Sequence, residues 1–301
     1  MSQSDPSVPV VKPESNSDYT ESVVASPLTL KFWGVRGDIA TPGEQTVRYG
    51  GNTSCITLET PKHLLIFDAG TGVRLLGKYL LSRMPVEAHL FLSHCQWDRI
   101  QGFPFFVPAF IPINRFYVYG SSAVNGDSMQ QRLKEQMQPP NFPVPIEIMG
   151  SDLKFCDVEP GAVLKLEAME IHTCCLNSIN QTLGYRVHYG NQVVVYATDI
   201  ESDTDNLDPR LIELAQEADV LIYDTHTWMI DEQGAKDNPQ PKDWNWKSGI
   251  EVAKKAGVKQ LVMFHHDPGY TDDSLDRIER QIQAVFPQGK LAREGMEIVV
   301  N

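Results

Sequence analysis

No stretch of this 301-residue chain is apolar over the roughly 20 residues that a membrane-spanning helix needs. Its apolar runs, such as Leu64–Phe67, Ala88–Leu92 and Val193–Ala197, have the length of strands. The first residues, Met1–Pro27, carry neither a basic segment nor an apolar core, so they do not read as a secretory signal, and a cytoplasmic location is expected. Paired cysteines are missing too. Cys55, Cys95, Cys156, Cys174 and Cys175 form an odd set without CxxC spacing, in a chain too long to need disulfide staples. Positive charge is scarce: 26 Lys and Arg against 39 Asp and Glu give a net −13, which opposes nonspecific contact with nucleic-acid phosphates.

What is present is an apolar fraction of 42%, enough for a substantial core. Met1–Pro27, rich in Ser, Pro, Val and acids without apolar periodicity, is expected to be a disordered tail, leaving 28–301 as one domain. From Leu28 the pattern predicts strands near Leu28–Trp33, Ser54–Glu59, Leu64–Phe67 and Ala88–Leu92, then a helix over Met129–Met137. Further strands are predicted near Val163–Ile171, Leu183–His188, Val193–Ala197, Val220–Tyr223 and Leu261–Phe264. Tyr189-Gly190-Asn191-Gln192 is a hairpin signal, which disfavours a doubly wound parallel sheet. Leu275, Ile278, Ile282 and Val285 follow a spacing of three and four and predict a closing helix with one buried stripe. Two β-rich halves with outer helices point to an α/β fold, a four-layer αββα sandwich.

The segments Phe32-Trp33-Gly34-Val35-Arg36-Gly37, Thr41-Pro42-Gly43 and Tyr49-Gly50-Gly51-Asn52-Thr53-Ser54-Cys55 stand in order before Phe67-Asp68-Ala69-Gly70-Thr71-Gly72. Ser93-His94, Gln101-Gly102-Phe103-Pro104-Phe105-Phe106 and Phe264-His265-His266-Asp267-Pro268 follow. Together they resemble the phosphodiesterase-like branch of the metallo-β-lactamase superfamily, from about Leu28 to the end of the chain. The resemblance implies two divalent metals held by a His-x-His-x-Asp-His loop, a later His, a bridging Asp and a final His. Such metals hold a hydroxide and polarise a phosphodiester or similar bond.

The loop here reads His94-Cys95-Gln96-Trp97-Asp98-Arg99, with Gln96 and Arg99 where the resemblance implies histidines. Ser178, in Leu176-Asn177-Ser178-Ile179, takes the place of the later His, while Asp199 and His265 match the bridging Asp and the last His, with His266 the alternative. A guanidinium has no free lone pair and cannot ligate. One implied metal site therefore keeps only His94 and a share of Asp199, and the other Asp98, Asp199 and His265. The expectation is no cofactor, with one divalent ion (Zn, Mn or Fe) on Asp98, Asp199, His265 and His94 as the alternative. Arg99 is expected to replace the metal electrostatically by bridging Asp98 and Asp199. Trp246 stands at or near a position where the resemblance implies an acid-catalytic His, and indole cannot transfer protons near neutral pH.

Plainer readings accompany each residue. Asp98 and Asp199 can serve as acceptors of backbone N–H groups, and His94 and His265 as buried hydrogen-bonded rings. Cys95 is expected to face the core, and His226 to be a loop residue near the pocket. Trp97, Trp228, Trp244 and Trp246 gather near the presumed pocket rim, where filling the vacated metal cavity is the first expectation and stacking on a ligand or partner the others. Gly34, Gly37, Gly50, Gly51, Gly70 and Gly72 are expected at tight hairpins. The functional expectation is a pseudoenzyme that binds a small phosphorylated or nucleotide ligand, or a protein partner. A one-metal hydrolase of a phosphodiester or similar substrate is the alternative, and the resemblance implies a homodimer.

Overall fold

The structure, a computed structural model, describes residues 27–200, 206–225 and 246–300. The expected tail, apart from Pro27, and His226, Trp228 and Trp244 lie outside the described residues. In chain order the strands are β1 Leu28–Gly34, β2 Cys55–Glu59, β3 Leu64–Phe67, β4 Glu87–Phe91, β5 Arg115–Gly120, β6 Asp152–Asp157 and β7 Val163–Leu166. They continue as β8 Met169–Asn177, β9 Thr182–Tyr189, β10 Gln192–Ala197, β11 Val220–Asp224, β12 Gln260–Phe264, β13 Gly289–Leu291 and β14 Glu297–Val300. The helices are α1 Val73–Leu80, α2 Trp97–Ile100, α3 Met129–Gln136, α4 Pro209–Ala215, α5 Trp246–Ala256 and α6 Asp272–Val285.

Two seven-stranded sheets form, in the orders β14-β1-β2-β3-β4-β5-β6 and β13-β12-β11-β10-β9-β8-β7. Strand alternation generates the layers. On β11, Val220 and Ile222 enter the core between the sheets, while Leu221 and Tyr223 enter an outer core beneath α4, α5 and α6. On the other sheet Leu65 and Phe67 face inward, and Ile66 faces an outer core shared with Leu76 and Leu80 of α1 and Leu133 of α3. Each such fully buried aliphatic side chain contributes roughly 1.5–3 kcal/mol relative to exposure. The result is the four-layer αββα sandwich that the strand pattern anticipates.

Tyr189 and Gln192 close the β9–β10 hairpin as expected, with Gly190 at φ 58°. The run Val163–Ile171 is instead two strands: Leu166 pairs with Met169 across a turn in which Glu167 takes φ 50°. Glu-Ala carries no Gly or Asn turn signal, so the run reads as continuous. In α6 Leu275 and Ile282 are buried and Ile278 half-buried, but Val285 is 51% exposed, so the stripe stops short of the helix end.

The motif glycines are not hairpin turns. Gly50 alone among the six has positive φ, at 104°. They are places of close approach. A Cβ on Gly37 would stand 2.9 Å from His265 Nε2, and one on Gly70 2.4 Å from the Asp98 carbonyl oxygen, so these glycines let the loops close over the site.

Candidate functional site

β3, β4, β5 and β6 run parallel, as do β10, β11, β12 and β13. The C-terminal ends of the two parallel sets supply Asp68 after β3, His94 after β4, Asp199 after β10, Asp224 at the end of β11 and His265 after β12. Asp68, Asp199 and His265 have φ of 59°, 51° and 66°. A non-glycine residue in this left-handed region costs of order 1–3 kcal/mol and persists only where its surroundings over-determine it.

Arg99, on α2, is 1% exposed. Its Nη2 donates to Asp224 Oδ2 at 2.8 Å, and Nη1 to Ser54 Oγ at 2.8 Å and Tyr196 Oη at 3.3 Å. Asp68 Oδ2 lies 3.5 Å from Nη1, and Asp98 Oδ2 3.1 Å from Nε as an ion pair without hydrogen-bond alignment. Three carboxylates thus surround one buried guanidinium. Asp199 is not among its partners, which corrects the expected Asp98–Arg99–Asp199 bridge. Asp199 Oδ2 instead accepts from Asn180 Nδ2 at 2.9 Å and Thr182 Oγ1 at 2.8 Å, while its backbone N–H donates to Asp224 Oδ2 at 3.0 Å. The side chain of Asp224, still within β11, points where that of Asp199 was expected.

His265 spans the other side of the cluster, with Nδ1 3.0 Å from Asp224 Oδ1 and Nε2 2.9 Å from Asp98 Oδ2. Burial and Arg99 favour the neutral ring, but the two carboxylates outweigh them and raise the His265 pKa to about 9. Burial likewise opposes charge on Asp98 and Asp224. Arg99 and His265 overcome it and hold both carboxyls well below the usual range. Ionised carboxylates only accept, so both ring nitrogens donate and His265 is an imidazolium. Asp98 is therefore held by charged side chains rather than by backbone N–H groups. His266 does not share the site; its Nε2 meets the Ala292 carbonyl at 2.7 Å.

His94 is buried, and burial followed by Arg99 lowers its pKa. Ser93 Oγ lies 3.0 and 2.9 Å from the two Asp68 oxygens and 3.1 Å from His94 Nδ1. His94 Nε2 is 3.0 Å from the Gln96 carboxamide. Ser178 is exposed and contributes its carbonyl to Gln181.

This arrangement does not fit the two-metal centre of the resemblance. A guanidinium occupies the carboxylate cluster, both His265 nitrogens are engaged, and among the described residues no group of three or more His, Cys, Asp or Glu is arranged to hold a metal ion.

Beside His94 and Gln96 opens a cavity of about 280 Å³, also lined by Arg132, Asn125, Val124, Ile179 and Asn180. Cys95 borders it too. Its Sγ lies 3.2 Å from Met129 Sδ, and burial raises its thiol to about 12, so it is neutral and packs as expected. Trp97 is 63% exposed and fills no cavity, a correction to the first expectation for the tryptophans. Trp246, at the start of α5, packs half-buried on the outer core of its sheet rather than on an open rim. Asp68, Asp224 and Tyr196 were not among the sequence candidates. An acid at or directly after the end of a strand buried on both faces, as in Leu64–Asp68 and Val220–Asp224, was the available signal, because such a charge needs a partner.

Comparison with known proteins places the fold. Ribonuclease Z of Treponema denticola is 21% identical over 288 residues, covering 81% of this chain and 91% of that protein. Among solved structures, the metallo-beta-lactamase fold protein YhfI from Bacillus subtilis matches with TM-score 0.62 at 18% identity, covering 91% of this chain and 99% of that one. A diphosphatase from the PhnP family matches with TM-score 0.64 at 15% identity, over 91% of this chain and 97% of its own. The family model described as the beta-lactamase superfamily domain matches residues 63–266, two thirds of the chain and most of the site, and the protein belongs to that superfamily.

Proposed function

We propose that this protein is a phosphate-ester-directed member of the superfamily in which a fixed guanidinium stands where relatives hold catalytic metal, so that it binds its ligand without cleaving it. The observation that carries this reading is Arg99, buried among Asp68, Asp98 and Asp224 at 2.8–3.5 Å. It meets the electrostatic need of the carboxylates but supplies neither an open coordination position nor an activated water.

A second reading has its own support. The relative named Ribonuclease Z speaks for hydrolysis of a phosphodiester more directly than for simple binding, and His94 and Asp199 lie outside the ion pairs of Arg99. On that reading the chain is a hydrolase using one divalent ion. Element analysis by inductively coupled plasma mass spectrometry, after purification without chelator and after incubation with zinc, manganese and iron, separates the two. Less than about a tenth of an equivalent of each metal supports binding without metal. Close to one equivalent that Asp199→Ala abolishes, with chelator-sensitive hydrolysis of bis(p-nitrophenyl) phosphate, supports the hydrolase. Calorimetric silence toward phosphorylated ligands, together with a specific protein recovered on the protein, would move the reading to a protein partner.

A further inference from the structure

Within the site, charge is unevenly placed. Asp68, Asp98 and Asp224 face two cations, Arg99 and the His265 imidazolium, and Asp199 adds a further carboxylate next to them. An anion at the position of the family metals would meet an excess of carboxylates. The adjoining cavity differs. Arg132, on the exposed side of α3 and half-buried, has no ion-pair or hydrogen-bond partner among the described residues, although it lines the cavity beside His94, Asn125 and Asn180. The two carboxamides each donate one N–H to a carboxylate, Asn180 to Asp199 and Asn125 to Asp127, whereas the guanidinium has no such partner and suits bidentate contact with a phosphate. The same lining carries two apolar side chains, Val124 and Ile179, which are 74% and 75% exposed, large values for side chains with no polar group.

We infer that the cavity between α3 and the loop after β8 is a phosphate subsite, with Arg132 holding the phosphate of a small monoester and Val124 and Ile179 covering its flat apolar portion. This inference rests on the phosphate-ester reading and deepens it, by moving the anion away from the former metal position. A cavity of about 280 Å³ is close to the roughly 300 Å³ at which sites for drug-sized molecules begin, a size in keeping with a ligand near a mononucleotide. The neutral Cys95 thiol takes no part in charge recognition.

Calorimetric titration of the full chain with adenosine 5′-monophosphate, adenosine and inorganic phosphate tests it. The expected result is that the monophosphate binds more tightly than either fragment. Arg132→Gln should weaken it at least about tenfold, in keeping with loss of a charged hydrogen bond, while Arg132→Lys retains part of the affinity. Unchanged melting of Arg132→Gln checks the fold, and Arg132→Lys against Val124→Ser repeats the comparison if it melts early. Wild-type affinity in Arg132→Gln overturns the subsite but leaves phosphate-ester binding intact. Equal affinity for inorganic phosphate and the monophosphate overturns the apolar half. Silence of the wild type toward all three and toward cyclic nucleotides overturns the underlying reading as well.

Discussion

Arg99 is a single buried guanidinium shared by three carboxylates, Asp68, Asp98 and Asp224. Removing one partner from a buried charge network leaves its carboxylates unpaired, at a cost of about 3–5 kcal/mol. Urea denaturation of Arg99→Met is expected to show a loss in that range, and Arg99→Met/Asp224→Asn a loss smaller than the sum of the single changes, because the second change removes a charge that the first left unpaired. Additive losses would mean that the 2.8 Å contact does not couple the two residues. The sequence made Arg99 readable as a partner of buried carboxylates, correctly for Asp98, but gave Asp199 where the structure has Asp224 and Asp68. The reason is long-range: parallel pairing sets Ala197 beside Tyr223, which brings Asp224 to the guanidinium, and Asp199, two residues beyond β10, turns away at φ 51°. Neither the pairing nor the turn is encoded in local pattern.

At the scale of elements, the strand ends and the glycine loops are made for each other. Gly37→Ala would drive a methyl against the His265 ring, and overpacking of this kind costs about 1–3 kcal/mol. Gly43→Ala, whose nearest neighbour would be Thr46 Oγ1 at 3.9 Å, should stay within about 0.5 kcal/mol of wild type in the same denaturation series. An equal loss in both would show that chain stiffness rather than the contact matters. A second element-level prediction concerns β4 and β5, where His89 stacks on Tyr117 at 4.9 Å and contacts Tyr119 Oη at 3.1 Å. Burial, reinforced by His63, lowers its pKa to about 4 from the usual 6.5. The unfolded chain then binds more protons between these values, so stability rises with pH across about 4 to 6.5 and is lost on acidification, by up to about 3 kcal/mol from this group. In His89→Phe the difference in urea midpoint between pH 5 and pH 7 should shrink; an unchanged difference would assign the acid limb to other groups.

Much at this scale was legible. Long apolar strands, the Tyr189–Gln192 hairpin and the α6 stripe were readable because burial on one or both faces leaves a period in the sequence. Less marked elements were not. β6 is half-buried along most of its length, β13 has three residues, and α1 carries Gly77 in its interior, so each lacks a strong period or has too few residues to show one. The glycine motifs were visible, but their purpose as contact points depends on which loop arrives opposite each one.

For the whole molecule, the proposed reading of Arg99 predicts a fold that does not rely on a bound ion. Dialysis against chelator should leave the melting transition where it was, whereas a ligand released from the native state would lower it in proportion to RT ln(1 + [L]/Kd). A clear downward shift would count against Arg99 as the structural replacement.

The edge of the first sheet carries a further consequence. β1 pairs with β14, Leu28 opposite Val300, and the loop after β1 is fastened from the far side of the sequence: Arg36 donates to the Tyr270 carbonyl at 2.8 Å, and the Tyr49 backbone N–H to Asp272 at 3.1 Å. During synthesis, then, β1 is made well before β14, one of its two neighbours. The ribosome must release the chain as far as Val300 before that sheet can close, and until then an apolar strand edge is open to strangers. A chain stopped at Met296 should remain in that state and aggregate on expression, which makes the final four-residue strand less an ornament of the fold than its fastening.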